Sequence, residues 1–474
     1  MIKFSLILVV VISIFSISAC TQESPKSGKA VLKAHFNGGA GMSLILKSTD
    51  PFSLDADTLK VDGGGNIVIS QDLKSPIYLN FQMPDFGNVP FSVFLIPGDT
   101  LFLETDMSDF FKNRKYSGNG AVYNNYIANY VISSNDFQQN IRGLFSKSEE
   151  IAMKSVDSLH QDNIAALEQF ISNNSDIDPV FEKIETARVL YEWALLHNIY
   201  PMYYKYFTKD QSYKPSPEFV SYLGECNLND ESIFSLELYK IFLTTYVGMK
   251  MEDYYADEVL MAEFPSVTLY RLSLIDKTFT NAKIKELIAF EAVRDYVKQE
   301  GINNYDSYID TFKKLCPNTV YQSVIDDMVK DWLHLKKGAD SFNFSFVDMQ
   351  GNKVSMSDFK GKYVYMDVWA TWCSPCRAEI PYLKKMEEEF HGKNIVFLSV
   401  SVDQTQDPWK KMVVSEDLKG VQLWAGQAKE FSAFYKITGI PRFMLFDKEG
   451  KILESSATRP SGEVDKQLAE LPGI

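Results

Sequence analysis

The feature that most constrains this chain is a pair of cysteines, Cys373 and Cys376, which lies between an apolar strand and a helix. The strand is predicted over residues 363–369, and the helix that follows is predicted to run to residue 390. A Cys-x-x-Cys at such a turn, within alternating strands and helices, predicts a redox-active pair of thiols. Unpaired N–H groups and the helix dipole stabilise a thiolate at the helix N-terminus. We therefore expect Cys373 to attack disulfides, with Cys376 one helical turn deeper.

The sequence around this turn is that of an α/β domain, predicted over residues 337–474. Strands alternate with helices, which implies a central sheet that helices cover on both faces. The predicted strands are 342–347, 363–369, 395–402, 442–446 and 452–455.

Three residues outside the cysteine pair fit the same chemistry. Asp367 lies on the preceding strand, where a buried carboxyl has a raised pKa and can take the proton from Cys376. Glu379 lies three residues after the second cysteine, on the same helical face, and can relay that proton. Pro441 precedes a predicted strand. A cis bond there would turn the backbone of Ile440 toward the thiols, where it can pair with a substrate strand.

The same residues also have less reactive interpretations. The cysteine pair would suit half of a structural zinc site, but Cys226 and Cys316 have no neighbouring Cys or His at ligand spacing. A purely structural disulfide would close a loop too short to stabilise the fold much. Asp367 is alternatively a solvated strand residue, and Glu379 an exposed helix residue. We expect no metal and no cofactor, and the state of Cys226 and Cys316 stays open.

The stretch from Asp367 to Pro381, DVWATWCSPCRAEIP, together with Gly439-Ile440-Pro441, resembles the thioredoxin fold. The closer resemblance is to the TlpA-like and ResA-like membrane-tethered thiol–disulfide oxidoreductases. The long interval between the second cysteine and that proline accommodates the insertion of the TlpA-like group, here around residues 401–403 and Trp409. The resemblance covers only the C-terminal domain.

The resemblance implies a role for each matching residue. Cys373 is the nucleophile, Cys376 resolves the mixed disulfide, and the two form the redox-active disulfide. Pro441 follows a cis peptide bond, and Trp372 and Ile440 are expected to contact the substrate backbone. These roles define the expected catalytic site.

The resemblance leaves the main proton acceptor undecided, because two carboxyls match. Asp367 matches the buried acid of thioredoxin, whereas Glu379 matches the glutamate on which many ResA-like members rely. The Ser374-Pro375 pair between the cysteines is closer to thioredoxin than to strongly oxidising enzymes, which have His at the second middle position. We therefore expect a reductase or isomerase that a membrane electron donor keeps reduced.

Residues 1–19 are expected to be a lipoprotein signal peptide, followed by a tether over 20–28. An uncharged apolar run over 4–19 follows Lys3 and is shorter than the ~20 residues a spanning helix needs. The sequence Ile17-Ser18-Ala19-Cys20 resembles a bacterial lipobox, which implies cleavage before Cys20 and a lipid on its thiol. An ordinary signal peptide and a short membrane anchor are the alternatives. We expect a lipid-anchored protein in a Gram-negative cell envelope, facing the periplasm or located at the outer membrane.

Two further domains are predicted between the tether and the α/β domain, so the fold is multidomain. Short runs with a period of two, separated by glycine-rich turns, predict an antiparallel domain over 29–115 that is β-sandwich-like or, alternatively, barrel-like. Helical spacing predicts an all-α domain over 116–336. Both regions resemble the front parts of Bacteroidota lipoproteins that carry such redox domains.

The net charge and the motifs together limit the kinds of partner that we expect for this protein. A formal net charge of −14 without a Lys/Arg block argues against a nucleic-acid partner. The expected substrate is a disulfide-containing exported protein, with cytochrome c maturation as one candidate process. One alternative is a peroxiredoxin-like peroxidase, although Ala370 stands where those enzymes typically place Thr. The other is a surface binding lipoprotein whose front domains hold a partner and whose redox domain is accessory.

Overall fold

The computed structural model describes residues 27–264, 266–462 and 464–474. The predicted signal peptide, Cys20 and most of the tether lie outside the described residues. Among the residues that are described, no helix combines the length and apolar character needed to span a membrane.

The described residues form two compact units. The first unit comprises residues up to Gly224 together with Ser232–Tyr239, and the second comprises Glu225–Glu231 and Lys240–Ile474. The central helices are therefore divided between the units, whereas the sequence predicts one helical domain over 116–336. Periodicity indicates that a segment is helical and buried on one face, but it does not indicate the partner against which that face packs. The predicted domain boundaries stay predictions.

The first unit begins with two four-stranded sheets, whose orders are β4-β1-β7-β8 and β3-β2-β5-β6. A single hydrophobic core takes side chains from both sheets, Leu32 and Leu101 from one and Leu44 and Leu79 from the other. The period-two pattern arises because alternate side chains point into this core. The strands are β1 (Gly28–Asn37), β2 (Ser43–Lys47), β3 (Ala56–Lys60), β4 (Asn66–Leu73), β5 (Ile77–Met83), β6 (Val89–Leu95), β7 (Thr100–Asp106) and β8 (Lys115–Gly118).

One strand pair departs from the antiparallel prediction. β1 pairs with β7 in parallel, with Val31 opposite Thr100. Between these strands the chain forms β2 and β3 of the other sheet, then β4 beside β1, then β5 and β6 of the other sheet. It returns as β7 to the opposite edge of β1 and runs in the same direction as β1. Alternation in a sequence reports which face is buried and carries no information on strand direction.

Helices complete the first unit. The longest, α5, begins at Pro179 because Asp178 caps it by accepting a hydrogen bond from the N–H of Val180. The helices are α1 (Phe110–Asn113), α2 (Ala121–Gln139), α3 (Ile141–Phe145), α4 (Glu149–Ser172) and α5 (Pro179–Thr208).

The second unit contains the later helices and the α/β domain. α6 begins within the first unit and continues into the second. The helices are α6 (Glu237–Lys250), α7 (Glu252–Ala256), α8 (Glu258–Glu263), α9 (Val267–Thr278), α10 (Ala282–Glu300), α11 (Tyr305–Leu315) and α12 (Thr319–Trp332).

The α/β domain has a seven-stranded sheet with the order β10-β9-β13-β12-β11-β14-β15. The central strand β11 pairs in parallel with β12 and antiparallel with β14, and all of its residues are buried. Separate hydrophobic clusters include Met386 and Trp409, which belong to different helices. The elements are β9 (Ser345–Val347), β10 (Lys353–Ser355), β11 (Tyr363–Trp369), α13 (Ser374–Glu389), β12 (Ile395–Ser401), α14 (Gln406–Ser415), β13 (Val421–Trp424), α15 (Lys429–Phe434), β14 (Arg442–Phe446), β15 (Ile452–Glu454) and α16 (Val464–Ala469).

Candidate active site

The cysteine pair lies in the turn between β11 and α13. Cys373 caps the helix, and its sulfur accepts a hydrogen bond from the N–H of Cys376 at 3.2 Å. Pro375 occupies the first helical turn, where a missing N–H costs nothing. The two cysteines form a disulfide, and each is 4% exposed. In the reduced protein the same N–H and the helix dipole would stabilise the Cys373 thiolate.

A loop that contains a cis proline lies against this disulfide. The Ile440–Pro441 peptide bond is cis, which confirms the geometry that the family resemblance implies. The carbonyl oxygen of Ile440 is 3.7 Å from the sulfur of Cys373. Trp372, the residue before the first cysteine, is 69% exposed. The structure therefore places the backbone of Ile440 beside the reactive sulfur and leaves the side chain of Trp372, the sequence neighbour of Cys373, open to solvent.

Asp367 is buried in the middle of the sheet. Its carboxylate accepts a hydrogen bond of 2.6 Å from the hydroxyl of Ser399, the residue opposite it on β12. Burial raises the pKa of Asp367 to about 7, although the bond from Ser399 acts in the other direction. This carboxyl can therefore change its protonation state near neutral pH.

Glu379 is also buried, but hydrogen bonds hold its carboxylate. One oxygen accepts from the Ser461 hydroxyl and the other from the Ser461 backbone N–H, both at 2.9 Å. These bonds link the active-site helix to the loop between β15 and α16. The structure thus brings Glu379 to the site and gives it a partner that lies far away in the sequence.

A small cavity joins these groups. Its volume is about 20 Å³, which is enough for one water molecule. Asp367, Cys376 and Glu379 all line it, together with the proline of the cis bond. The cavity therefore connects the second thiol with both candidate proton acceptors.

Glu387 is a further cavity residue that the sequence analysis missed. Burial and the nearby charge of Asp367 raise the pKa of Glu387 to about 7. Glu379, Leu383 and Glu387 follow one another at intervals of four residues on α13, and all three line the cavity. This helical spacing was the signal that could have identified Glu387.

Asp403 is the second residue that the sequence analysis did not assign to the site. Its carboxylate accepts hydrogen bonds from the hydroxyl of Thr371, at 2.8 Å, and from the Thr371 backbone N–H. The hydroxyl of Ser401 donates a third bond at 2.8 Å. Because Thr371 is two residues before Cys373, Asp403 holds the active-site turn against the end of β12.

The other two cysteines of the described residues take no part in this arrangement. Cys226 and Cys316 remain as thiols, and burial raises the pKa of each to about 12. Thiols with so little thiolate at neutral pH are poor nucleophiles. Within the described part of the chain, no group of three or more His, Cys, Asp or Glu residues is arranged to hold a metal ion.

A disulfide at a helix N-terminus, a cis proline beside it and a buried carboxyl beneath it define a thioredoxin-like thiol–disulfide oxidoreductase. The sequence profile of the Redoxin family matches residues 336–470. A thiol–disulfide oxidoreductase ResA of Bacillus cereus is 30% identical over 136 residues, which cover 29% of this chain and 76% of the relative. The corresponding protein of Bacillus thuringiensis subsp. konkukian is 30% identical over 152 residues, 32% of this chain and 83% of that relative. The chain belongs to this family of thiol–disulfide oxidoreductases, which confirms the resemblance drawn from its motifs.

A solved structure is also similar to part of the chain. The thioredoxin domain of a thiol–disulfide oxidoreductase from Bacteroides vulgatus is 34% identical, with a TM-score of 0.27, and the match covers 30% of this chain and 99% of that one. These relatives match less than a third of the present chain.

Proposed function

We propose that this protein is a membrane-tethered, extracytoplasmic oxidoreductase that reduces or isomerises disulfides of exported proteins. The observation that carries the proposal is the Cys373–Cys376 disulfide, with the N-terminus of α13 at one sulfur and the cis-proline loop beside it. This geometry suits a sulfur that is attacked and released repeatedly, because the helix stabilises the thiolate that each cycle regenerates.

The proposed cycle begins with the reduced enzyme. The Cys373 thiolate attacks one sulfur of a substrate disulfide, forms a mixed disulfide and releases the other substrate sulfur as a thiolate. Cys376 then gives its proton to the carboxylate of Asp367, and the resulting thiolate attacks the sulfur of Cys373. The second substrate sulfur leaves as a thiolate, so the substrate gains two electrons and the enzyme becomes the disulfide. A membrane dithiol donor then returns two electrons to the enzyme, and Asp367 gives its proton back to Cys376. The two protons that the donor releases pass through the solvent to the two substrate thiolates.

Asp367 is the proposed main acceptor because its pKa, about 7, matches the working pH. The pKa of Glu387 is also about 7, but Glu387 lies eleven residues beyond Cys376 on α13, which is about three helical turns. Glu379 already accepts two hydrogen bonds from Ser461, so the proposed role of Glu379 is to fix the helix beside the cavity. Trp372 and the backbone of Ile440 would hold the substrate chain next to the disulfide.

The direction of electron flow is tested by trapping thiols in growing cells with an alkylating agent that changes the mass of the protein. We expect a substantial reduced fraction at Cys373 and Cys376, and we expect the purified, reduced chain to reduce insulin. A Cys373→Ser/Cys376→Ser double variant supplies the background in both assays. A dithiol that is wholly oxidised in cells, in a protein that fails to reduce insulin, would show that the reductase proposal is wrong.

The membrane tether is tested by growing the source bacterium with a labelled fatty acid. The wild-type chain should carry the label and sediment with membranes, because a lipid on Cys20 holds it there. A Cys20→Ala variant should lose the label and leave the membrane fraction, whereas a Cys226→Ala variant should keep both properties. Label that persists in Cys20→Ala, or that is absent from the wild type, would contradict lipidation at this position.

A further inference from the structure

A large cleft of mixed polarity lies within the second unit, between the helices that precede the α/β domain and the β15 side of its sheet. Its volume is about 1290 Å³, which exceeds the ~300–1,000 Å³ typical of small-molecule pockets. Residues of α10 and of the loop after it line one side, and residues from β15 onward line the other. They include Gln299, Glu300 and Asn303 on the first side and Glu454, Ser456 and Thr458 on the second.

A second opening adjoins this cleft on the side of the active site. Its volume is about 400 Å³, and the cis-proline loop from Thr438 to Arg442 lines it. Gln299, Glu300 and residues 456–458 line both spaces, so the two spaces adjoin at these residues, here called the junction, and together they form the groove. One end of the groove is therefore the loop whose Ile440 carbonyl lies 3.7 Å from the sulfur of Cys373.

Hydrogen bonds fix the helical wall of the groove to the redox domain. The guanidinium of Arg442, directly after the cis proline, donates to the backbone carbonyl of Gln299 at 2.7 Å. The side-chain amide of Asn303 donates to the carbonyl of Ser456 at 2.7 Å, and the Ser456 hydroxyl donates to the carboxylate of Glu300. The end of α10 is thus held in place beside the substrate loop.

We infer that this groove binds an extended, unfolded polypeptide segment that flanks the disulfide of the substrate. The inference rests on the proposed function and names its substrate class. A small disulfide would reach only the cis-proline end, whereas a long chain can continue over the junction, where hydrogen bonds join the two walls, into the larger cleft.

The lining of the groove suits a polypeptide. Acidic and basic side chains both line the cleft, Asp295 and Glu454 on the one hand and Lys336 and Lys337 on the other. The side chains of Gln299 and Thr458 also line the cleft, and an amide and a hydroxyl can pair with the backbone N–H and C=O of a chain of varied sequence. A mixed lining of this kind selects an unfolded chain by its backbone and length, without requiring one particular sequence.

The test compares two peptides that share one disulfide loop, the first short and the second extended by a long unstructured flank. We expect the full chain to reduce the long peptide with a kcat/KM about tenfold higher, equivalent to about 1.4 kcal/mol. A Gln299→Trp variant fills the junction but keeps the backbone carbonyl that Arg442 contacts. Its ratio of kcat/KM for the long peptide to that for the short one should fall about tenfold.

Lys298→Trp is the matched control, because it adds the same indole to the same helical turn at a residue that lines neither space. In this control the ratio of kcat/KM for the long peptide to that for the short one should stay within about twofold of the wild-type ratio. An unchanged ratio in Gln299→Trp would overturn the inference that the groove binds the substrate chain. If that variant does not reduce the short peptide, Thr458→Trp on the opposite wall replaces it, and an unchanged ratio there overturns the groove equally. Failure of the wild type on both peptides would instead overturn the proposed function, and the groove with it.

Discussion

A Cys376→Ser variant should remain covalently attached to its substrates. The Cys373 thiolate can still attack a disulfide, but a serine hydroxyl at 376 is not ionised at neutral pH and does not resolve the mixed disulfide. We expect steady-state disulfide reduction to fall by about a hundredfold or more, while mixed disulfides accumulate. Non-reducing gels measure the adducts, and mass spectrometry of the captured proteins identifies the substrates, including whether apocytochrome c is among them.

Two further serine variants separate this outcome from non-specific thiol chemistry. Cys373→Ser removes the attacking sulfur and should give neither adducts nor reduction. Cys226→Ser changes a thiol whose burial raises its pKa to about 12, and should leave reduction as in the wild type. Adducts in Cys373→Ser that match those of Cys376→Ser would show that the second cysteine attacks first, and would reverse the assigned roles.

The reactive turn was predictable from sequence because local rules determine it. The interval from Cys373 to Cys376 spans one turn, so a helix that begins after the first cysteine places the N–H of the second on its sulfur. The continuous apolar run before the turn likewise predicts a central strand buried on both faces. The cis bond at Pro441 was predictable only through family resemblance, because an X–Pro bond alone is rarely cis.

The surroundings of the site were not predictable, because they depend on contacts between distant parts of the chain. Glu379 has the right helical face, but its partner Ser461 reaches it only when the loop after β15 folds back. Asp403 was visible only as part of an insertion, and its bonds to Thr371 require β11 and β12 to be neighbours. Sequence spacing indicates which face a residue occupies, and tertiary folding decides what it meets there.

Contacts between distant residues were equally unpredictable in the part of the chain that precedes the α/β domain. The period-two and helical patterns correctly predict strands followed by helices, because each pattern follows from burying one face of one element. They do not predict that β1 pairs in parallel with β7, or that α10 lies against the cis-proline loop. The groove inferred above depends on that second packing, so it was visible only in the folded chain.

An Asp367→Asn variant should be more stable than the wild type at pH 8. Burial raises the pKa of Asp367 from its ordinary value of 3.8 to about 7, so between these values the folded chain holds a proton that the unfolded chain has released. The wild-type free energy of unfolding therefore falls as pH rises from about 4 to about 7. Asparagine has no charge to bury, so the variant does not lose this stability. We expect its free energy of unfolding to exceed that of the wild type by about 2–4 kcal/mol at pH 8, and the difference to disappear by about pH 4. Urea unfolding of the oxidised protein across this range measures it.

The stabilised variant should also be the slower enzyme, because the ionised Asp367 that destabilises the fold is the group that accepts the Cys376 proton. General bases typically contribute about 10²–10⁴ in rate. Since Glu379 and Glu387 line the same cavity, we expect resolution to slow by only about tenfold to a hundredfold. The wild-type rate of resolution should rise as pH increases through about 7. In the variant the smaller remaining rise should move to lower pH, because Glu387 loses the nearby charge of Asp367 that helps to raise its pKa. Glu388→Gln, on an exposed position of the same helix, is the control. The variant could instead be no more stable than the wild type at pH 8 and resolve mixed disulfides as fast. That result would show that Glu379 or Glu387 accepts the proton and that Asp367 is a structural residue.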